Sequence, residues 1–185
     1  MFNTIFSSFI YNQLLNLNLN KFKKEIKKIK TKDQGRRETN YGGWQSSASY
    51  NTKEPFNSLF KSVDSIMLEI SDKLCLEKKI GLINYWININ KLGSFNRPHK
   101  HPDSIISGVF YVDTPENCGR ICFEQPTDVT YVYGKVTRFN NFNSSVWNWD
   151  PEKNLCLLFP SYLKHYVEPN LNKKERISIS FNYGF

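Results

Sequence analysis

Three histidines are the residues with the most evident chemistry, and they are the only ones among 185 residues. His99 and His101 occupy alternate positions, and alternate residues of an extended segment point to the same side. Asp103 continues the alternation, although Pro102 cannot donate to a strand ladder and makes the extension less regular. Two imidazoles on a strand, completed by a third ligand from elsewhere, form a facial set that leaves metal positions open. The spacing therefore predicts a metal site.

His165, the third histidine, follows an apolar run and a Pro-Ser turn. Any site built from histidines must use it, because the chain has no fourth. Two ligand sets remain open: His99, His101 and His165, or His101, Asp103 and His165. We prefer the first set, because a start at His101 would leave little room for the turn before the strand that contains Tyr111. The second set would give the metal a carboxylate ligand and move His99 to a supporting position.

Arg176 opens a second alternating segment, in which Ser178 and Ser180 share its face. A guanidinium with a hydroxyl two residues later is a good receptor for a carboxylate, which it can hold in a bidentate pair. Burying an arginine in a sheet without such a partner would be costly. The alternative is a surface arginine paired with Glu168 or Glu175. The pattern favours a carboxylate site near the metal.

The periodicity of the chain predicts the elements that must position these residues. Apolar residues recur at helical spacing over residues 14–29 and again over 56–74, whereas residues 30–49 are expected to be irregular,. Over residues 82–90 the period changes to two, and Asn84, Trp86 and Asn88 share the polar face of this strand. Further strands are predicted at 105–112, 120–123, 129–136, 155–159 and 176–182. Helices followed by strands indicate an α+β fold, in which the N-terminal helices pack against one sheet of a sandwich or barrel.

Composition limits the class of protein. The length fits one domain, here 1–185, with a basic helical segment at 1–40 and a helix plus the strand core at 41–185. Most of the net charge of +8 lies within residues 1–40, where nine basic residues meet three acidic ones. A solvated helix face explains this lysine run better than a nucleic-acid surface does. We expect no membrane span and no signal peptide. Four cysteines without a framework predict free thiols and a reducing cytoplasm, that of the host cell if the chain is viral.

Together these motifs carry a family resemblance. The run HKHPDSIISGVFYV from His99 to Val112, followed by GRICF, LFPS, His165 and ERISISFN, resembles the short 2-oxoglutarate/Fe(II)-dependent oxygenases of marine phages and bacteria. The upstream segments YGGWQS and WIN also look like that family. The resemblance covers most of the chain after residue 40. One departure is that the wider superfamily uses His-x-Asp or His-x-Glu, whereas this chain offers His99-x-His101 and His101-x-Asp103.

The resemblance implies a double-stranded β-helix, or jelly roll, with Fe(II) and 2-oxoglutarate bound inside it. In that scheme His99 and His165 are iron ligands, and Arg176 pairs with the distal carboxylate of 2-oxoglutarate, helped by Ser178 and Tyr111. The implied reaction is hydroxylation of an unknown substrate with release of succinate and CO2. Asn84, Trp86 and Asn88 are candidate substrate contacts.

Two other classes of function compete with an oxygenase. One is a cupin-like jelly roll that binds a metal or another ligand without oxygenase activity. The other is an interaction protein whose lysine-rich helix binds nucleic acid, an association that salt would weaken. The residues do not predict the oligomeric state.

Overall fold

The computed structural model of the chain describes residues 7–49, 52–127 and 136–185. Two helices and eleven strands lie in these ranges. In chain order they are β1 (Tyr11–Leu14), α1 (Leu19–Lys30), β2 (Asn40–Tyr41), β3 (Trp44–Gln45), α2 (Phe56–Lys73), β4 (Gly81–Asn90), β5 (Phe95–His99), β6 (Ile106–Asp113), β7 (Ile121–Glu124), β8 (Val146–Trp149), β9 (Leu155–Pro160), β10 (His165–Val167) and β11 (Arg176–Gly184).

The strands form two antiparallel sheets. A six-stranded sheet has the order β1-β9-β6-β11-β4-β3, and a five-stranded sheet has the order β2-β5-β10-β7-β8. From β4 onward the chain passes repeatedly from one sheet to the other. Strands β4, β6, β9 and β11 lie in the six-stranded sheet, and β5, the consecutive pair β7 and β8, and β10 lie in the five-stranded sheet. This winding is that of a double-stranded β-helix, and it confirms the predicted jelly roll.

Both helices pack on the outer face of the six-stranded sheet. In α1 the buried residues are Phe22 and Ile26, and the Phe22 ring lies 5.5 Å from that of Phe110 in β6. In α2 the predicted apolar stripe is buried except for Leu74, which follows the helix and is exposed, and Phe60 contacts Phe181 of β11 with ring centroids 5.7 Å apart. This arrangement agrees with the prediction that the N-terminal helices pack against one sheet.

The inner face of the same sheet changes character from one side to the other. Because alternate residues of a strand share a face, the polar side of β4 continues into the polar side of β11, with Asn84 opposite Asn182 and Asn88 opposite Ser178,. Towards β9 the inner face becomes apolar, where Leu157 is fully buried. One half of the space between the sheets is thus a hydrophobic core, and the other half is polar.

The N-terminal region differs from its prediction. The predicted helix over 14–29 begins only at Leu19, and Leu14 instead ends β1 at the edge of the six-stranded sheet. Asn16 has a left-handed φ of 50°, and the Asn18 side chain caps the helix by accepting from the Lys21 N–H,. Residues 30–49, expected to be irregular, contain the short strands β2 and β3. Trp44, the first residue of β3, docks through its indole N–H, which donates to the Asp33 carbonyl at 3.1 Å.

The later strands follow the sequence pattern more closely. Strands β4, β6, β7, β9 and β11 lie within two residues of their predicted bounds, whereas β5, β8 and β10 were not predicted. The predicted strand at 129–136 falls outside the described residues, apart from Val136. All four cysteines are free, and three of them are buried. No helix in the described ranges is both long enough and apolar enough to cross a membrane.

Candidate metal and co-substrate site

The three histidines meet between the two sheets. His99 ends β5 and lies opposite His165, the first residue of β10, while His101 follows two residues after His99. Their nearest ring nitrogens all lie within 4.8 Å of one another. The Nε2 atoms of His101 and His165 are 3.3 Å apart. The fold therefore gathers the first of the two predicted ligand sets.

Backbone carbonyls orient two of these rings. The Nδ1 of His99 donates to the Arg97 carbonyl at 2.7 Å, and the Nδ1 of His165 donates to the Leu163 carbonyl at 2.9 Å. A proton held at Nδ1 leaves Nε2 with a free lone pair, which is the form in which an imidazole binds a metal. The two carbonyls therefore fix the tautomer and the ring direction that a metal site requires.

Burial keeps the cluster neutral. Desolvation lowers the pKa of His101 to about 4, and the neighbouring His99 contributes in the same direction,. Desolvation also lowers the pKa of His165 to about 3, with His99 again adding to the effect. The pKa of His99 is lowered by burial as well. At neutral pH the three rings are therefore uncharged, and each can offer a nitrogen lone pair to a cation.

Asp103 lies elsewhere. It follows Pro102 in a turn with a left-handed φ of 61°, its side chain is exposed, and it is not part of the histidine cluster. The turn breaks the alternation that would have placed this carboxylate beside His101. The geometry therefore brings the first ligand set together and leaves Asp103 outside.

Arg176 is buried in the same cavity, which measures about 290 Å³, and only 2% of the residue is exposed. Its Nη1 donates to the carbonyls of Cys118 at 2.6 Å and Gly119 at 3.0 Å. No carboxylate of the described residues pairs with it, because Glu168 binds Arg120 and Glu175 binds Lys30. The surface ion-pair alternative is therefore wrong.

A polar row crosses the sheet between Arg176 and the histidines. It consists of cavity-lining residues on four neighbouring strands, namely Gln45, Asn88, Ser178 and Tyr111. Tyr111 is buried, and desolvation raises the pKa of its phenol, so the hydroxyl stays protonated and can donate,. Gln45 was not predicted as a site residue. Its place in the polar row follows from the pairing of β3 with β4, which sets Gln45 opposite Asn88. The one signal in the sequence was that Gln45 lies within the segment YGGWQS, which resembles the family.

Asn88 carries a buried atom without a partner. Its Nδ2 donates to the Ser180 hydroxyl at 3.0 Å, whereas its Oδ1 is buried and has no hydrogen-bond partner among the described residues. Buried polar groups are normally satisfied. A polar group left over at the wall of this cavity is consistent with a place for a polar ligand.

Trp86 and Asn84 lie further along the same strand. The Trp86 ring is 5.6 Å from that of His101, which puts Trp86 level with the histidines. Asn84 lies on the side away from Arg176, at the end of a hydrogen-bond chain. In that chain Ser161 contacts Ser107, Ser107 donates to Asn182 at 2.8 Å, and Asn182 donates to Asn84 at 3.1 Å. The candidate substrate residues are thus on both sides of the histidine level.

The residues present fit a divalent metal and a dicarboxylate. Imidazole nitrogens with free lone pairs are good ligands for a first-row transition metal such as Fe(II). A buried guanidinium without a carboxylate partner, together with the Tyr111 and Ser178 hydroxyls, fits the far end of an acid that also reaches the metal.

This fold and this cavity define a double-stranded β-helix protein with a candidate metal site between its sheets. Residues 84–182 match the family model described as "Putative 2OG-Fe(II) oxygenase", and the chain belongs to this family. The protein is therefore a 2-oxoglutarate/Fe(II)-dependent dioxygenase, and its cofactors are Fe(II) and 2-oxoglutarate. No curated protein sequence gives a significant match.

Solved structures share the fold at low sequence identity. A prolyl-4-hydroxylase from Pseudomonas putida is 17% identical, with 94% of this chain and 91% of that chain covered at a TM-score of 0.66. The viral collagen prolyl hydroxylase from Paramecium Bursaria Chlorella virus-1, in complex with 2-oxoglutarate, is 13% identical, with 94% of each chain covered and a TM-score of 0.60. HygX from Streptomyces hygroscopicus, with nickel and 2-oxoglutarate bound, is 10% identical over 95% of this chain and 82% of that chain, with a TM-score of 0.60.

Proposed function

We propose that the protein hydroxylates a C–H bond of an organic substrate while it converts 2-oxoglutarate and O2 into succinate and CO2. One oxygen atom of O2 enters succinate and the other enters the hydroxylated product, so the reaction balances. The observation that carries the proposal is the convergence of three neutral imidazoles and a buried, carboxylate-free arginine in one cavity.

The proposal gives each group a role. His99, His101 and His165 bind Fe(II) through Nε2, and the backbone carbonyls behind two of the rings hold them in place. Arg176 holds the distal carboxylate of 2-oxoglutarate, with Ser178 and Tyr111 as hydroxyl donors beside it. The bound iron supplies the activation of O2, which the protein supports by geometry and by exclusion of water.

Substrate binding is assigned to the other side of the histidine level. Trp86 offers an apolar ring beside the cluster, and Asn84 offers an amide at the edge of the cavity. Similar structures include prolyl hydroxylases, one of them in complex with a peptide fragment of hypoxia inducible factor. Peptides that contain proline are therefore the first substrates to screen.

The first experiment is an anaerobic titration of the Fe(II)-loaded protein with 2-oxoglutarate. Chelation of iron by the keto acid should produce a charge-transfer absorption band in the visible region, and exposure to O2 should then yield succinate. Glutarate, which lacks the keto group, is the matched control and should give neither. If the protein binds iron but shows no band and forms no succinate, the dioxygenase proposal is wrong and the cupin-like alternative gains support.

A further inference from the structure

The histidine cluster contains no negative charge. Its three members are imidazoles, and among the described residues no carboxylate belongs to it. Glu38 is the single acidic residue in the described lining of the cavity, and it is held by Arg36 at 2.6 Å. Non-haem Fe(II) oxygenases commonly use two histidines and one carboxylate. In this chain His101 stands where a carboxylate would compensate half of the metal's charge.

The same cavity already holds one buried positive charge. Arg176 is 2% exposed, and the groups that bind it are neutral carbonyls of Cys118 and Gly119. Burial lowers the pKa of Arg176, which reports how poorly this environment solvates the cation. A divalent ion bound at the histidines would add two further charges to a cavity whose single acidic lining residue, Glu38, is already paired with Arg36,.

The co-substrate is the missing anion for both cations. 2-Oxoglutarate is a dianion with one carboxylate for Arg176 and the other for the metal. Each cation is therefore best stabilised when the dicarboxylate is present, and the dicarboxylate binds best when both cations are present. When two ligands favour each other in this way, the coupling is the same from either side.

We propose that His101, as a neutral ligand, makes the binding of metal and 2-oxoglutarate strongly interdependent, so that this protein holds its metal tightly only together with the co-substrate. The inference rests on the proposed roles of the histidines and Arg176. Beyond those roles, the apparent affinity for the metal should depend on the concentration of 2-oxoglutarate, and His101 should be the residue that makes this dependence strong.

The test uses Mn(II) as the probe and the full chain. Free Mn(II) is counted by its electron paramagnetic resonance signal while the metal is titrated into metal-free protein, with and without saturating 2-oxoglutarate. For the wild type we expect 2-oxoglutarate to tighten Mn(II) binding by about 50-fold or more, towards the upper end of typical couplings. The reciprocal titration of 2-oxoglutarate with and without Mn(II) should give the same factor.

Two variants separate charge from ligation. His101→Asp restores a carboxylate, so it should bind Mn(II) about 10-fold more tightly than the wild type when 2-oxoglutarate is absent, and its coupling should fall below about 10-fold. His101→Asn introduces a side chain of nearly the same shape as aspartate but without its charge. This variant should weaken Mn(II) binding but keep the wild-type coupling between Mn(II) and 2-oxoglutarate. Because the readout is binding, a loss of turnover in either variant does not affect the result.

Asn12→Asp is the control for added charge. Asn12 is exposed on β1, and three strands separate β1 from β4, so this charge lies about 19 Å across the sheet from Trp86, the β4 residue beside the histidines,. Its Mn(II) affinity and coupling should equal those of the wild type.

The outcomes are distinguishable. A wild type that binds neither Mn(II) nor 2-oxoglutarate overturns the proposed function and this inference with it. A wild type that binds both, but with a coupling below about 5-fold, overturns the inference alone. The same conclusion follows if His101→Asp and His101→Asn have equal couplings. Circular dichroism spectra of the variants show whether each is folded, and if His101→Asp is not, the wild-type and His101→Asn couplings still decide.

Discussion

At the scale of single residues, the removal of water dominates the chemistry of the site. It keeps three imidazoles neutral, and it leaves a guanidinium charged but poorly solvated. A buried cation costs free energy relative to exposure, and the buried histidines cost free energy at any pH that would protonate them in water. The residues that cost stability here are the ones that the cofactors need.

Arg176→Met tests the carboxylate assignment. The variant loses a charge-assisted pair with the co-substrate, which is worth about 1.5–3 kcal/mol, so the dissociation constant for 2-oxoglutarate should rise by about 10- to 100-fold. The measurement is the anaerobic charge-transfer titration. Arg138→Met removes an exposed arginine outside the cavity and should leave the constant within about twofold,. Equal affinities in the two variants would contradict the role of Arg176.

The lowered pKa values of the histidines predict how stability depends on pH. In the unfolded chain a histidine takes up a proton near pH 6.5, whereas His101 in the folded protein does so only at about 4,. Between these values the unfolded state binds more protons, so stability is full above about pH 6.5 and is lost as the pH falls towards the folded value. We therefore expect the urea concentration at the unfolding midpoint of the metal-free protein to decrease as the pH is lowered from about 7 to about 5. The decline should be shallower in His165→Gln, and a midpoint independent of pH would rule the explanation out.

At the scale of elements, the close approach of β6 to its neighbours holds the polar row in register. Gly108 of β6 lies beneath the ring of Phe181, and a Cβ added there would also come within 2.9 Å of the Leu157 carbonyl. The absence of a side chain lets β9, β6 and β11 keep the pairing that aligns Tyr111 with Ser178. A glycine in the middle of this strand is therefore a packing requirement.

Gly108→Ala should destabilise the protein by about 1–3 kcal/mol, because an extra carbon in a packed core displaces its neighbours. The measurement is the free energy of unfolding in urea. Gly81→Ala is the matched control, since a Cβ at Gly81 meets nothing within 4 Å. That substitution should be neutral or slightly stabilising. Equal losses in both variants would show that the cost comes from strand propensity and not from packing.

Sequence patterns predicted the longer elements and missed the shorter ones for a physical reason. Helix α2 and strand β4 span several periods, so their alternation is unambiguous. Strand β10 has three residues, and β5 contains Pro98, so neither shows a period that can be counted. Their existence depends on pairing partners that are distant in sequence, such as His99 with His165.

The candidate site was predictable to the extent that it uses rare residue types. Histidine occurs three times, so its grouping could be inferred before the fold was known. The position of Asp103 depends on one left-handed turn, and that of Gln45 depends on strand register. Neither is encoded in the spacing of chemically reactive residues. The division of the asparagines between the two sides of the histidines also follows from register alone.

At the scale of the whole molecule, the basic N-terminal helix is part of the core. Lys23 binds Asp113 at 2.6 Å and Lys30 binds Glu175 at 3.4 Å, so two of its charges reach across to the sheet. Lys28 pairs with Glu25 inside the helix. These ion pairs account for part of the lysine run without nucleic acid, and a nucleic-acid role for the remaining lysines stays the less favoured alternative.

Phe22→Ala tests whether α1 stabilises the jelly roll. Phe22 is 1% exposed and contacts the rings of Phe56 and Phe110, so its loss should cost about 3–5 kcal/mol of unfolding free energy,. Lys24→Ala on the exposed side of the helix should change stability by less than about 0.5 kcal/mol,. Urea denaturation followed by circular dichroism measures both. A small loss in Phe22→Ala would mean that the helix is an appendage to the fold.

The hydrogen bonds in the chain that ends at Asn84 all run in the same direction from donor to acceptor. Each inner member donates to one neighbour and accepts from the other, from Ser161 through Ser107 and Asn182. One member cannot reverse alone, because two donors or two acceptors would then face each other inside the sheet. The sense of the whole chain therefore determines which end of the Asn84 amide faces the cavity. The Ser161 hydroxyl beyond β9 and the part of the Asn84 amide that faces the cavity at β4 are therefore coupled through three hydrogen bonds.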